Sequence, residues 1–266
     1  MRLSLTLELG DRETPPDFAS RLSTRACRDD MREFCRDFGI DPRAIINGVP
    51  DAVGALANLA GVSGDRLRGE AFSRMDTARR QFQHRGEVFL QSSLVRNRVR
   101  MCPACMAEDI ERLDCRLPAR PHRRSMWLVR GVRTCAEHGM ALAEVGKLDS
   151  PNAIHDTTRV IADAVPRLAS LVDSAVLRTP SRFERYLLLR LDGKESGSWL
   201  DRLPMYAALH LPLVAGAVAV HGPEVVLDDL EDDQAWRCEA AGFDIVDKGV
   251  EGIRTLLDDL QAPFRV

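Results

Sequence analysis

The stretch MCPACMAEDIERLDCRLPARPHRRSMWLVRGVRTCAEHGMAL, residues 101–142, contains two short pairs of residue types that bind metals. Cys102 and Cys105 form a Cys-x-x-Cys pair, and Cys135 and His138 form a Cys-x-x-His pair. Each pair fits a single tight turn, and four such donors complete the tetrahedral shell of a structural zinc ion. The sequence therefore predicts one structural Zn²⁺ held by a Cys3His set.

A long connector separates the two pairs. Twenty-nine residues lie between Cys105 and Cys135, whereas the gap in zinc ribbons is usually about 15–20 residues. This length leaves room for an inserted hairpin or helix, and we expect Trp127 to pack against the metal turns. Cys115 and His122 lie inside the connector and remain alternative ligands, although neither has a partner at turn spacing.

The donor set distinguishes three kinds of site. A redox Cys-x-x-Cys pair needs no Cys-x-x-His partner and would sit in a strand–helix unit, which the sequence does not indicate. A catalytic zinc keeps one position open and prefers histidine or carboxylate ligands. Three thiolates and one imidazole fill the shell, and no Ser-His-Asp set or phosphate-binding glycine loop is evident. We therefore predict a protein that is not an enzyme and disfavour a metal-dependent hydrolase.

A helix-turn-helix is predicted upstream, in residues 51–72. Val53 and Leu56 mark one helix, Gly61 supplies a left-handed turn, and Leu67 anchors a second helix. A plain helical hairpin with the same packing is the alternative. In a DNA-binding arrangement, three arginines would lie on or just after the recognition helix and face phosphates or guanines: Arg66, Arg68 and Arg74.

The net charge of −3 hides an uneven distribution. Residues 79–133 contain thirteen arginines and five acids, and residues 222–260 contain twelve acids and three basic residues. This asymmetry predicts either two different partners or docking of one half on the other. Four arginines of the basic segment join the predicted nucleic-acid or partner contacts, with ordinary solvated charge as the alternative: Arg79, Arg80, Arg123 and Arg124.

Composition favours helices. The 266 residues are 45% hydrophobic but only 5% aromatic, which argues against an all-β chain. We predict a mainly α fold with a small zinc-ribbon-like module. Its parts are a helical domain with the helix-turn-helix over residues 1–95, the zinc-binding module over residues 96–148, and a helical domain over residues 149–266.

Two apolar stretches bear on whether the protein enters or crosses a membrane. No run of eighteen apolar residues is present, so no membrane partner is expected. Residues 209–220 predict a buried helix capped by Pro212. Leu3, Leu5 and Leu7 alternate with polar residues, which predicts a short strand or extended edge rather than a signal peptide. A cytoplasmic location is therefore expected.

These residues resemble the TniQ family of transposition proteins. MCPACMAED at residues 101–109 is similar to the family's Cys-Pro-x-Cys entry, and MWLVRGVRTCAEHGMAL at residues 126–142 is similar to its Trp-containing strand before Cys-x-x-His. Residues 48–72, 183–193, 198–212 and 240–257 resemble its helical parts. The N-terminal PPDFASRLSTRA lacks the Trp of the family's usual opening signature.

The resemblance implies a protein that does not catalyse a reaction. It implies zinc ligation by Cys102, Cys105, Cys135 and His138 and a core role for Trp127. TniQ-type proteins look like adaptors that link target-site recognition, on DNA or through a guide-RNA effector complex, to a transposition AAA+ ATPase. The alternative is a stand-alone zinc-containing helix-turn-helix regulator that binds DNA. A homodimer is left open.

Overall fold

Short helices make up the N-terminal part of the chain. The computed structural model describes residues 2–77, 80–148 and 155–262. Thr14 precedes the first helix and accepts a hydrogen bond from the Asp17 amide, while Pro15 occupies the first helical position, where its missing N–H is not needed. The helices of this part are α1 (Pro15–Arg25), α2 (Met31–Asp37), α3 (Pro42–Ile46), α4 (Pro50–Ala60) and α5 (Gly64–Gly69).

Of the two forms predicted for the segment before α1, a short strand or an extended edge, the structure does not show the strand. Residues 2–10 run without a paired strand. The Leu3 amide donates to the Leu59 carbonyl at 2.9 Å, and Leu7 and Leu9 are buried in the N-terminal core. Leu5 is exposed, so the alternation of leucines marks a buried face only at Leu7 and Leu9.

A tight turn joins α4 and α5 at the predicted residues. Gly61 adopts a φ of 72°, which few other residues tolerate, and Ser63 caps α5 by accepting from the Arg66 amide at 3.3 Å. Leu56 and Leu67 are both fully buried. The helix pair is therefore present, while its assignment as a DNA-binding helix-turn-helix stays a prediction.

Three small antiparallel sheets follow in the middle of the described chain. In the first, strands pair in the order β1-β2-β3, and the buried side chains of Phe82 and Phe89 lie opposite each other. The other two sheets pair β4 with β7 and β5 with β6. The elements of this region are β1 (Ser73–Arg74), β2 (Gln81–His84), β3 (Glu87–Leu90), β4 (Arg98–Met101), α6 (Pro103–Arg112), β5 (Thr134–Cys135), β6 (Met140–Ala141) and β7 (Ala143–Lys147).

Helices dominate the C-terminal half. The helix predicted to be capped by Pro212 begins earlier, and Pro212 lies inside it. The prediction of a cap was wrong because the apolar segment continues upstream to Met205, and burial outweighs the single backbone hydrogen bond that a proline removes. The helices are α7 (Thr157–Ala164), α8 (Leu168–Asp173), α9 (Arg182–Leu191), α10 (Met205–His221), α11 (Asp232–Val246) and α12 (Val250–Gln261).

The described side chains form two hydrophobic cores. The first lies among α1–α5 and includes Phe18 and Phe34. The second is continuous from the metal-binding region into the C-terminal helices and includes Trp127, Phe183 and Phe243. Residues on both sides of position 148 therefore share one core, and the three-part division of the chain stays a prediction.

Two glycines allow α10 and α11 to lie in close contact. A Cβ atom at Gly216 would lie 1.7 Å from the Cys238 carbonyl oxygen, and one at Gly242 would lie 1.8 Å from the Pro212 carbonyl oxygen. Neither distance leaves room for a methyl group, and each obstacle is backbone. The helices must separate to accept any larger residue at either position.

Gly242→Ala is therefore expected to lower the free energy of unfolding by about 1–3 kcal/mol, because the close helix contact must open. Urea denaturation followed by circular dichroism measures the loss. Gly69→Ala is the matched control, since nothing lies within 4 Å of the added Cβ at that helical glycine. Equal stability of the two variants would contradict the close packing.

Candidate metal centre

Strand pairing brings the two predicted metal turns together. β4 ends at Met101, directly before Cys102, and β7 begins at Ala143, shortly after the second turn. Met101 and Ala143 are paired across the two strands. The chain therefore leaves this ladder at one end, passes through both turns and returns to the same place.

Different local features shape the two metal-binding turns. Cys102 immediately precedes α6, Pro103 fixes the first helical position, and Cys105 lies in the first helical turn. In the second turn, the Gly139 amide donates to the Cys135 carbonyl at 3.0 Å, and Gly139 has a φ of 56°. Both turns therefore direct their side chains toward the same point.

The four predicted ligands meet. Their ligand atoms all lie within 4.8 Å of one another. The sulfur atoms of Cys105 and Cys135 are 3.7 Å apart, and His138 Nδ1 lies 3.3 Å from the Cys105 sulfur. It also lies 3.6 Å from the sulfurs of Cys102 and Cys135. The three cysteines are buried, and His138 is partly exposed.

These distances fit a tetrahedral zinc ion. Zinc bonds of about 2.3 Å to sulfur and about 2.0 Å to nitrogen place ligand atoms roughly 3.8 Å apart for two sulfurs and roughly 3.5 Å apart for sulfur and nitrogen. The separations of 3.3–3.7 Å agree with both values. The set can hold one metal ion, with no fifth side chain needed to complete the shell.

The electrostatics of the cluster favour a cation. Hydrogen bonds from Cys102 and Cys135 raise the pKa of the Cys105 thiol, whereas hydrogen bonds from Cys102 and Cys105 lower the pKa of Cys135. Three sulfurs in contact thus cannot all ionise without a compensating positive charge. A divalent cation supplies that charge, and its binding releases the thiol protons.

The alternative ligands lie elsewhere. Cys115 donates to the neighbouring Arg116 carbonyl and contacts the N-terminal core. His122 is fully buried, with Nδ1 2.9 Å from Asp109 Oδ2 and Nε2 3.1 Å from the Asp11 carbonyl. Neither residue belongs to the Cys3His cluster, so the structure favours the two turn-spaced pairs.

Comparison with known protein families gives an independent observation. The TniQ family model matches residues 4–142, just over half of the chain. This chain belongs to the TniQ family. All four clustered residues fall inside the matched range. A search of curated proteins found no match. TniQ membership suggests a transposition-associated adaptor role. The resemblance of residues 183–193, 198–212 and 240–257 lies outside the matched range and stays a prediction.

Four of the arginines predicted to contact nucleic acid in this TniQ protein are exposed. Arg66 and Arg68 lie on α5, with Arg68 bonded to Asp65. Arg74 lies on β1, and Arg80 donates to Gln91 at 3.2 Å. Arg79 lies outside the described residues. The exposed arginines lie on α5, on β1 and directly before β2.

Arg123 and Arg124 are engaged inside the protein. The Arg123 side chain is 2% exposed and donates to both carboxylate oxygens of Asp17, at 3.0 and 3.2 Å. Arg124 donates to both oxygens of Asp109, at 2.7 and 3.1 Å. Buried carboxylates compensate both charges, and contact of Arg123 and Arg124 with nucleic acid or a partner stays a prediction.

The acidic end of the chain docks on the basic middle. Arg133 lies two residues before Cys135, contacts Asp232 and donates to both oxygens of Glu239, at 3.0 and 3.2 Å. The Glu184 carboxylate accepts from the Arg133 amide at 2.9 Å. Charge counting left this docking open as one of two alternatives, and the ion pairs favour it.

Sequence reasoning missed the buried acids that organise this region. Asp109 is 1% exposed and lies on the buried face of α6 with Met106. Asp109 comes three residues after Met106 and four before Leu113, which places it on the apolar face of α6. An acid at such a position signals an ion pair inside the protein. Glu239 on α11 shows the same pattern between Trp236 and Phe243, whereas Glu184 directly follows the buried Phe183 in the first turn of α9. None of the helices in the described ranges is long and apolar enough to cross a bilayer.

Proposed function

We propose that this TniQ protein is a transposition adaptor that links recognition of a DNA target site to a transposition AAA+ ATPase. The observation that carries the proposal is the family match over residues 4–142, with the buried Cys3His cluster inside it. DNA, the ATPase and a guide-RNA effector complex are the partners to test, and dimerisation is tested in the same preparations.

The metal has a structural role in this proposal. Cys102, Cys105, Cys135 and His138 would hold one Zn²⁺, which supplies a cross-link between the start of α6 and the β5–β6 turn. Four protein donors occupy a tetrahedral shell and leave no place for a reactive water. The ion thus stabilises the scaffold, and the TniQ family's non-catalytic adaptors support this assignment.

The proposed nucleic-acid surface consists of Arg66, Arg68, Arg74 and Arg80, with Arg79 added from the sequence. Lysine and arginine contacts to phosphates displace condensed counterions, so each contact makes binding steeper in salt. Exposure of the four described arginines and their position on and after the α4–α5 turn support this assignment.

Replacing Arg66 and Arg68 together by Gln is expected to weaken duplex binding and to reduce the salt slope by about 1 per lost phosphate contact. Fluorescence anisotropy with labelled duplex at several salt concentrations measures both. Arg254→Gln, a charge change of the same kind at an exposed site on α12, is the control. An unchanged slope in the double variant would make the α4–α5 surface a protein-docking element instead.

Complex formation decides between the adaptor and a stand-alone regulator. The purified chain, the AAA+ ATPase encoded in the same mobile element and a target duplex are combined and analysed by size-exclusion chromatography with light scattering. Co-elution with the ATPase supports the adaptor. Tight, sequence-specific duplex binding without any ATPase complex would overturn it in favour of the regulator.

A further inference from the structure

An exposed carboxylate contacts the histidine of the metal cluster. Glu108 lies on α6, and its Oε1 is 2.9 Å from Nε2 of His138. The other ring nitrogen, Nδ1, faces the sulfurs of Cys102, Cys105 and Cys135 at 3.3–3.6 Å. The two nitrogens of one ring therefore have opposite surroundings.

This arrangement determines which nitrogen can bind a metal. A neutral imidazole carries one N–H, and its second nitrogen offers a lone pair. A carboxylate at Nε2 holds the hydrogen there, so the lone pair lies on Nδ1 and points at the sulfurs. Carboxylates that accept from a metal-bound histidine also raise its basicity and fix its ring.

We infer that Glu108 is a positioning residue for the metal, because it holds His138 in the tautomer and orientation that present Nδ1 to the ion. The inference rests on the proposed Cys3His zinc set and names a residue outside that set. A Glu108 carboxylate oxygen also lies within 4.8 Å of the Cys105 sulfur, but its hydrogen bond is to the imidazole, and positioning acts on the metal through that ring.

An ordinary surface ion pair is the competing explanation. The Glu108 side chain is 62% exposed, and exposed pairs usually contribute little to stability. Glu137 also carries a nearby carboxylate, but its Oε2 lies 3.7 Å from the Cys105 sulfur and not against the ring. A simple charge effect depends on distance and not on contact with the ring, so it would also appear for Glu137 and, more weakly, for Glu111, whereas positioning is specific to Glu108.

Zinc affinity tests the inference. The wild-type chain, Glu108→Ala, Glu108→Gln and Glu111→Gln are titrated with Zn²⁺ against a competing chelator. Glu108→Ala is expected to bind zinc about 10- to 100-fold more weakly. Glu108→Gln keeps an acceptor for the N–H and is expected to lose less. Glu111→Gln, an exposed neighbour on α6, is expected to match the wild-type chain.

The imidazole tautomer provides a second readout. Long-range ¹H–¹⁵N spectra of the zinc-loaded chains report which nitrogen carries hydrogen, and His138 is expected to keep Nε2–H in the wild type and in Glu108→Gln. A mixed tautomer or looser ring in Glu108→Ala supports positioning. Wild-type affinity in Glu108→Ala, or an equal loss in Glu111→Gln, overturns it while leaving the zinc set intact. A wild-type chain that binds no zinc overturns both.

Discussion

Cys135→Ser is expected to abolish folding of the second core rather than weaken one contact. Cys135 belongs to the same hydrophobic cluster as Trp127 and Phe183, and it would be one of four bonds to the ion. Zinc binding to small structural sites is worth on the order of 10 kcal/mol at neutral pH. A typical domain has only about 5–15 kcal/mol of total stability, so loss of the metal removes most of it.

The measurement combines metal content with thermal unfolding. Wild-type protein is expected to hold one zinc per chain, and Cys135→Ser much less, with an early or absent cooperative transition. Cys115→Ser is the control, because that thiol lies outside the cluster and its change is expected to stay within about 1 kcal/mol. A Cys135→Ser chain with full zinc and wild-type melting would refute the structural role.

Chelation extends this prediction to the C-terminal helices. The Arg133 amide beside the metal turn donates to Glu184 on α9, and Arg178 donates to the Thr134 hydroxyl at 2.9 Å. Removal of the metal is therefore expected to increase hydrogen exchange in α9 and α11 as well as in the turns, because the anchoring strand β5 is released.

The metal site was predictable from the sequence because it depends on residue spacing within two short turns. Two pairs at x-x spacing and a tight-turn glycine select Cys102, Cys105, Cys135 and His138 without any knowledge of the fold. The role of Glu108 was not predictable, because its contact spans thirty residues. It depends on how α6 and the β5–β6 turn face each other.

The fold was predictable in its class and in its helix pair, but not in its ion pairs. Arg123 looked like a surface charge because its neighbours are basic, yet Asp17 pairs with it across 106 positions. The alternating N-terminal leucines fit a strand by period alone, yet the structure shows no paired strand there, and the Leu3 amide donates to the Leu59 carbonyl of α4 instead. Non-local partners determine what such charged and extended segments do.

Arg133→Met is expected to lower the free energy of unfolding by about 3–5 kcal/mol, because it leaves a buried carboxylate without its cation. Arg133 donates to both oxygens of Glu239, which is 2% exposed. Arg237→Met is the matched control, because its pair with Asp233 is exposed, and loss of such a pair is expected to cost less than about 1 kcal/mol.

The stability lost in Arg133→Met is expected to depend on pH in a defined direction. Burial raises the pKa of Glu239, and Arg133 opposes that shift, so without Arg133 the native carboxyl binds its proton more tightly than the unfolded one does. Stability therefore falls as pH rises through the folded pKa, and the deficit of Arg133→Met shrinks as pH is lowered. Urea unfolding of the wild-type and Arg133→Met chains at pH 5 and pH 8 measures this deficit. Adding Glu239→Gln should restore most of the stability and remove the pH dependence, whereas a deficit that grows in acid would contradict a stranded carboxylate.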